Sequence, residues 1–296
     1  MKTKIFGFAF VGAALAFGGV SPAYSNTFGI LDSSGTYTLL MVPGSSSTQA
    51  IGINNNGQIV GEYNGSSGFL YSGGMYTILS APGSSSTVAF GINDNGQIVG
   101  GEYGTIGPTT GPTYGFLYSG GTYTTLSVPG SIFTTARGIN NAGQIVGQYE
   151  TAGGLLYGFL YSGGTYTTLS VPGSNSTQAF GINNNGQIVG TSSSFGFVYS
   201  GGSYTPLSGS AGSILTPFGI NDQGDVVGNN NVLYNGSTYS IINGPPGSTN
   251  LEVYGINDSN QIVGDAVLTP LPSTLPLFVS GIGVLGLLGR RRKREG

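Results

Sequence analysis

Apolar and polar positions in this chain fall into short runs that recur together. In residues 159–190, Phe159-Leu-Tyr161 is an apolar run and Thr165-Tyr-Thr-Thr-Leu-Ser-Val171 alternates polar with apolar side chains. Thr177 to Ile182 and Gln187-Ile-Val189 complete the set. Alternation with a period of two over four to eight residues is the mark of a half-buried strand, so this stretch predicts four strands. The punctuation agrees. Ser162-Gly-Gly164 supplies the positive φ of a tight hairpin, Pro172-Gly173 turns the chain, and Asn183-Asn-Asn-Gly186 is a second tight turn.

The same pattern returns along the chain. Gly52-Ile-Asn-Asn-Asn-Gly-Gln-Ile-Val-Gly61 recurs with small edits at Gly91, Gly138, Gly181, Gly219 and Gly255, at spacings of 39, 47, 43, 38 and 36 residues. Units of about forty residues, each holding four short antiparallel strands, are the pattern of propeller blades. The span from Phe28 to Val267 holds about six such units. The expectation is an all-β, six-bladed β-propeller of four-stranded antiparallel blades. One tyrosine per unit, at Tyr37, Tyr76, Tyr123, Tyr166, Tyr204 and Tyr239, is expected to fill the space between neighbouring sheets. On that placement Tyr166→Ala would cost roughly 3 kcal/mol or more.

Composition changes the picture at the ends. Lys2 and Lys4 precede an apolar run from Ile5 to Val20 and then Ser21-Pro-Ala-Tyr-Ser25, which predicts a cleaved secretory leader over residues 1–25. Residues 26–267 form the repeat body and 268–296 a tail. Within the tail, Leu275 to Gly289 is free of charge and is followed by Arg290, Arg291, Arg292, Lys293 and Arg294. Basic residues stay on the cytoplasmic side, which puts the body outside. As a helix this stretch spans only about 22 Å against a hydrocarbon core of ~30 Å, so it is a short anchor.

The order of a proline-rich segment (Pro270, Leu271, Pro272 through Phe278), a glycine-rich apolar helix and an arginine cluster resembles a PEP-CTERM sorting tail. The variant it resembles carries the signature Val-Pro-Leu-Pro-Ala, from which Thr269 and Ser273 depart. The resemblance implies a Gram-negative bacterium and an exosortase-type processing enzyme as partner. It further implies transient anchoring in the inner membrane before delivery to the cell surface or medium. The recurrent phrase is similar to the extracellular HAF repeat, with the His-Ala-Phe element replaced by Gly68-Phe69-Leu70-Tyr71 and its counterparts. That likeness implies secretion and architecture rather than an activity.

Charge narrows the partners. Outside the leader and tail the body holds one cation, Arg137, against ten acids. A body this acidic is not suited to nucleic acid. With no histidine and no cysteine, general acid–base and thiolate chemistry lose their usual agents. The expectation is a protein without catalytic activity or cofactor. Asn93-Asp-Asn-Gly96 and Asn221-Asp-Gln-Gly224 faintly echo a calcium loop but lack its distal glutamate; they read as hairpin turns, and no metal site is assigned.

One candidate ligand site emerges. Linkers after the fourth strand share a face with the Pro-Gly turns, and near the longest of them Glu62-Tyr63, Glu102-Tyr103 and Tyr149-Glu150 recur on three successive units. Aromatic faces beside carboxylates suit a sugar ring. The leading reading is a secreted or surface-sorted structural or adhesive protein associated with matrix or polysaccharide. The alternatives are a glycan-binding surface module and a glycosidase using a carboxylate pair.

Overall fold

The computed structural model describes residues 26–103, 114–207 and 215–268. The leader, the tail from Pro270 to Arg294 and most of the long insertion after Tyr103 lie outside the described residues. The strands belong to one compact unit, Asn26–Thr269.

Among the described residues the architecture is all-β, apart from a three-residue 3-10 turn at Asn229–Asn231. Three of its sheets are plain four-stranded antiparallel meanders. The first of these runs Ser131–Ile139, Ile145–Thr151, Leu156–Ser162 and Thr165–Leu169. The second runs Thr177–Ile182, Ile188–Ser192, Gly196–Ser200 and Ser203–Leu207, and the third Pro217–Ile220, Val226–Gly228, Val232–Tyr234 and Tyr239–Ile241. Another four-stranded sheet is assembled from both ends of the unit, in the order Thr36–Leu40, Asn26–Ser33, Gln261–Leu268, Ser248–Ile256. Its central pairing runs from Asn26↔Leu268 to Ser33↔Gln261.

The remaining sheet has eight strands. It consists of two meanders, Thr48–Leu79 and Ser86–Leu126, joined by a single parallel pair, Ser67↔Thr87. Thr87 N–H donates to the Ser66 carbonyl at 3.2 Å there, and the Ser86 hydroxyl donates to the same oxygen at 2.7 Å. The bridges Thr27↔Ser47 and Leu156↔Ser176 are the same device elsewhere.

Each meander therefore begins with the third predicted strand of one sequence unit and ends with the second strand of the next. The recurrent phrase opens a meander rather than closing one. Its two β-strands are joined by the asparagine–glycine turn, where Gly186 takes φ 76°, a region closed to most residues by the Cβ.

The core follows from alternation within Gln-Ile-Val. Adjacent strand residues face opposite sides of a sheet, so the isoleucine and valine of one phrase enter different clusters. Val60 joins Ile98 and Phe116, Val99 joins Ile145 and Phe159, and Val146 joins Ile188. Val189 then joins Val226, Val227 joins Ile262, and Val263 joins Ile59 and Phe69, where the series began. Each meander thus hands one side chain to the next.

The largest fully buried side chains are Phe69, Phe116, Phe159 and Phe197 on third strands. The tyrosines expected to fill this space are only half-buried, since they sit on the outermost strands. Tyr166 meets Phe159 edge-on at 5.5 Å and Tyr161 at 4.8 Å. Their hydroxyls reach backward instead: Tyr37 donates to the Asn243 carbonyl at 2.6 Å, and Tyr76, Tyr123, Tyr166 and Tyr204 bond to the backbone of Met41, Ser80, Ser127 and Ser170. Burial pushes the Tyr76 hydroxyl up to about 12. These tyrosines are latches between neighbouring outer strands, with Phe159 and its equivalents forming the core.

Candidate functional site

The first strands of the meanders surround a central passage, and the recurrent phrase builds one end of it. Asn54, Asn93, Asn140, Asn183, Asn221 and Asn257 are all buried. A buried amide must find partners for both its ends. In Asn54 the Oδ1 accepts from the N–H groups of Asn56 and Gln58 at 3.1 and 2.9 Å, which shapes the turn. Its Nδ2 donates to Gln58 Oε1 at 2.8 Å and to the Asn93 carbonyl at 2.9 Å. The second contact crosses to the next meander, and it repeats: Asn93 donates to the Asn140 carbonyl, Asn140 to that of Asn183, Asn183 to that of Asn221. Asn221 donates to the Asn257 carbonyl, and Asn257 donates to that of Asn54. The circuit is closed.

The following residue makes a second circuit. Asn55 N–H donates to Asp94 Oδ1 at 2.8 Å, Asp94 N–H to Asn141, Asn141 N–H to Asn184 and Asn184 N–H to Asp222. Asp222 N–H donates to Asp258, whose N–H donates to Asn55 Oδ1 at 2.9 Å. Either asparagine or aspartate serves, since each offers the one acceptor oxygen required. Burial raises the Asp94 carboxyl, but hydrogen bonds from Asn141 and Asn55 outweigh it and hold the group below its usual range. The calcium-like turns are accounted for by this arrangement, because their side-chain oxygens are engaged by N–H donors. Among the described residues no cluster of three metal-ligating side chains occurs.

Close approach at this end depends on the leading glycine. A Cβ on Gly91 would stand 2.7 Å from the Arg137 carbonyl oxygen and 3.2 Å from Gly138 Cα.

At the other end the passage opens into a cavity of about 310 Å³. Its wall is the residue just before each glycine of the phrase: Ile51, Phe90, Arg137, Phe180, Phe218 and Tyr254. Arg137 lies 4.2 Å from the Phe90 ring centre and 5.9 Å from that of Phe180, a cation over aromatic faces. Phe218 meets Phe180 at 5.8 Å and Tyr254 at 5.9 Å. Glu62 lines the same cavity; burial raises its carboxyl, with Arg137 pulling it back.

Asp265 occupies the register position equivalent to Glu62, since Glu252↔Asp265 and Gln49↔Glu62 are matching pairs. It is buried, and its Oδ1 has no hydrogen-bond partner. Burial, opposed by a Tyr254 hydrogen bond and reinforced by Glu252 and Glu62, lifts its carboxyl to about 6. The Tyr254 hydroxyl also donates to Glu252 Oε2 at 2.8 Å.

The residues read from the sequence as a ligand platform are separated by register. Glu62 pairs with Gln49 and Tyr63 with Thr48, so they face opposite sides. Gly101 is one residue more than the preceding unit has, and it moves Glu102 to the position of Tyr63, opposite Thr87. A one-residue slip sends each side chain to the other face. Glu102 accordingly bonds to Thr125, and burial raises its carboxyl. Tyr149 takes the same position, opposite Thr134, and is buried with its hydroxyl 2.9 Å from Thr168 Oγ1. Tyr103 pairs with Ser86, and Glu150 pairs with Phe133 and Leu156. Glu102 and Glu150 are thus one register step apart, on alternate faces. Of this group, Glu62 lines the central cavity. The six wall residues were missed because each is alone in its repeat; aligning the phrases on their first glycine would have placed them in one column.

These sheets, packed side by side around a central passage, define a β-propeller. Comparison with solved structures gives the same class: a putative TolB from Agrobacterium tumefaciens matches with a TM-score of 0.59 at 10% identity, covering 84% of this chain and all of that one. A structure of YCF48 bound to D1 peptide matches at a TM-score of 0.45 and 11% identity, over 82% of this chain and 85% of that one. No protein-family model matches the chain, and no curated protein matches it in sequence.

Proposed function

We propose that this chain is an exported, six-bladed propeller acting outside the cell as a non-catalytic structural or adhesive component. The observation that carries the reading is the pair of closed hydrogen-bond circuits at the asparagine end. Six meanders tied in a ring, with the N-terminal strands completing the sheet of the C-terminal ones, make a body that resists opening at any one joint. A rigid, acidic, hydroxyl-rich ring suits a surface component that persists in an uncontrolled medium. Export rests on the leader and on the tail that resembles an exosortase signal, and matrix or polysaccharide association on what that resemblance implies.

The test is mass spectrometry of the protein made in a Gram-negative host that carries an exosortase. The reading expects a mature N-terminus after Ser25 and a C-terminus near Pro272, with the product at the surface or in the medium. A product retaining Arg290 to Arg294 in the inner membrane would overturn the sorting step. A product retained in the cytoplasm with residues 1–25 intact would overturn export.

A further inference from the structure

An asparagine followed by glycine can modify itself. The backbone nitrogen of the second residue attacks the side-chain Cγ of the first, and glycine obstructs this least because it has no Cβ. The N–Cγ bond forms, the bond from Cγ to Nδ2 breaks, and Nδ2 leaves as ammonia with the proton of the attacking N–H. Water then opens the five-membered imide. Attack at Cγ gives aspartate, attack at the main-chain carbonyl gives isoaspartate, and nothing is oxidised or reduced. The chain holds six such steps, at Asn56, Asn64, Asn95, Asn185, Asn235 and Asn243, and the fold treats them differently.

Three lie in the recurrent phrase, where both reacting nitrogens are engaged. Gly57, Gly96 and Gly186 donate their N–H groups to the carbonyls of Asn54, Asn93 and Asn183 at 3.2, 3.0 and 3.1 Å. Nδ2 of Asn56, Asn95 and Asn185 donates to the carbonyls of Asp94, Asn141 and Asp222 in the neighbouring meander at 2.9, 3.1 and 2.8 Å. Closing the imide ring would break both bonds. Asn64 Oδ1 accepts from the Ser46 N–H at 3.0 Å and the Ser46 hydroxyl at 3.3 Å, two donors from a separate turn. Asn243 has its main-chain carbonyl held by the Tyr37 hydroxyl.

Asn235 is placed otherwise. It opens the hairpin between Val232–Tyr234 and Tyr239–Ile241, at the position that Ser72, Ser119, Ser162 and Ser200 hold in the Ser-Gly-Gly hairpins. Its Oδ1 accepts from the N–H groups of Ser237 and Thr238 at 3.2 and 2.8 Å and from their hydroxyls at 3.2 and 3.0 Å. Negative charge collects on that oxygen when the Gly236 nitrogen adds to Cγ, and donors already aimed at a developing charge lower the barrier to it. Among the described residues no backbone carbonyl accepts from Gly236 N–H. The loop is held in this shape by the Tyr234 hydroxyl, which donates to the Gly236 carbonyl at 2.7 Å, and by the stacked rings of Tyr234 and Tyr239, 4.6 Å apart. Residues 235–238 are exposed, so water reaches the imide.

We propose that Asn235-Gly236 is a self-modification site, at which the folded chain converts asparagine to aspartate and isoaspartate ahead of its other five Asn-Gly steps, with water as the co-reactant. The product sets a new carboxylate on the hairpin tip, and isoaspartate also adds a methylene to the main chain there. The site belongs to the folded body, so it stands whether or not the chain is exported.

Ageing of the full-length protein at neutral pH and physiological temperature tests it, with chymotryptic peptides read by mass spectrometry and isoaspartate labelled by isoaspartyl methyltransferase. In the folded protein Asn235 is expected to convert at least about tenfold faster than Asn56, Asn95 and Asn185, and ahead of Asn64 and Asn243. In urea the six steps should converge, since each is the same dipeptide without its surroundings. The double variant Ser237→Ala/Thr238→Ala removes two of the four donors; it should slow conversion at Asn235 about tenfold in the folded protein and leave the rate in urea unchanged. Conversion at Asn235 no faster than at Asn95 in the folded protein would overturn the proposal. An order of rates that persists in urea, or a double variant that converts at the wild-type rate, would assign the reactivity to sequence alone and overturn it equally.

Discussion

Replacing Asn93 with alanine tests the physical basis of the ring. The side chain is 3% exposed and makes four hydrogen bonds. Its Oδ1 accepts from Asn95 N–H at 3.1 Å and Gln97 N–H at 3.0 Å, and its Nδ2 donates to Gln97 Oε1 at 2.8 Å and the Asn140 carbonyl at 2.9 Å. A buried hydrogen bond contributes about 1 kcal/mol net, and partners left without solvent cost more. The expected loss is therefore about 3–4 kcal/mol. In a body of this size that lowers the melting temperature by roughly 10 °C. Asn93→Asp should lose at least as much at neutral pH. It keeps the acceptor but sets a carboxylate oxygen against two acceptors, Gln97 Oε1 and the Asn140 carbonyl. Asn95→Ala is the control: its Nδ2 bond to the Asn141 carbonyl is exposed at 3.1 Å and should be worth less than about 1 kcal/mol. Urea unfolding followed by far-UV circular dichroism measures all three. If Asn93→Ala fell within about 1 kcal/mol of wild type, the asparagine circuit would be incidental to stability and the reasoning wrong.

Other consequences can be checked by the same measurement. Gly91→Ala places a methyl group against the Arg137 carbonyl, and the backbone shift needed should cost roughly 1–3 kcal/mol. Phe159→Ala, at a fully buried position, should cost about 3–5 kcal/mol, while Tyr166→Phe, which removes only the latch to Ser127, should cost about 1 kcal/mol; equal losses would contradict the placement of core and latch. Acidity should stabilise the fold over part of its range. Asp265 titrates at about 6 when folded and near 3.8 otherwise, so its contribution is complete below the lower value and lost as pH rises through the upper one. The full difference amounts to about 3 kcal/mol. Glu62, Glu102 and Asp32 are shifted the same way, and Asp94 the opposite way. The melting temperature should rise as pH falls from about 7.5 to about 5, and Asp265→Asn should flatten that rise. A profile unchanged by the substitution would count against the burial assigned to Asp265.

Strands and turns were legible in the sequence because alternation and glycine placement are local. Thr177–Ile182 is a strand with the bounds its pattern predicts, and Gly163 and Gly164 take the positive φ of 57° and 88° that the hairpin needs. The sharing of Ile and Val between neighbouring clusters was latent in the same alternation. What the sequence hid was nonlocal. The union of Asn26–Ser33 with Gln261–Leu268 joins segments more than two hundred residues apart, with no local signal of their pairing. The candidate platform residues are divided between faces because Gly101 adds one residue before Glu102 and reverses its face, a step invisible to motif matching. The tyrosines misled because an aromatic repeated once per unit reads as core; they lie on the outermost strands, while Phe159 and its equivalents lie on third strands paired on both sides and are fully buried. Arg137 drew attention only as a charge count, and its surroundings of Phe90 and Phe180 appear once six repeats are laid around an axis.

The central claim is that the chain closes on itself. Since the sequence contains no cysteine, a single engineered pair can report on it without competition. Thr27 and Val267 are direct antiparallel partners, and such partners have Cα atoms about 4.5–5.5 Å apart, within reach of a disulfide. Mild oxidation of the folded Thr27→Cys/Val267→Cys protein should give an intramolecular disulfide in nearly every molecule, seen as a shift in non-reducing electrophoresis, and should raise the melting temperature. Thiols that stay free in the folded monomer, or that link only one molecule to another, would show the two ends unpaired and contradict the ring.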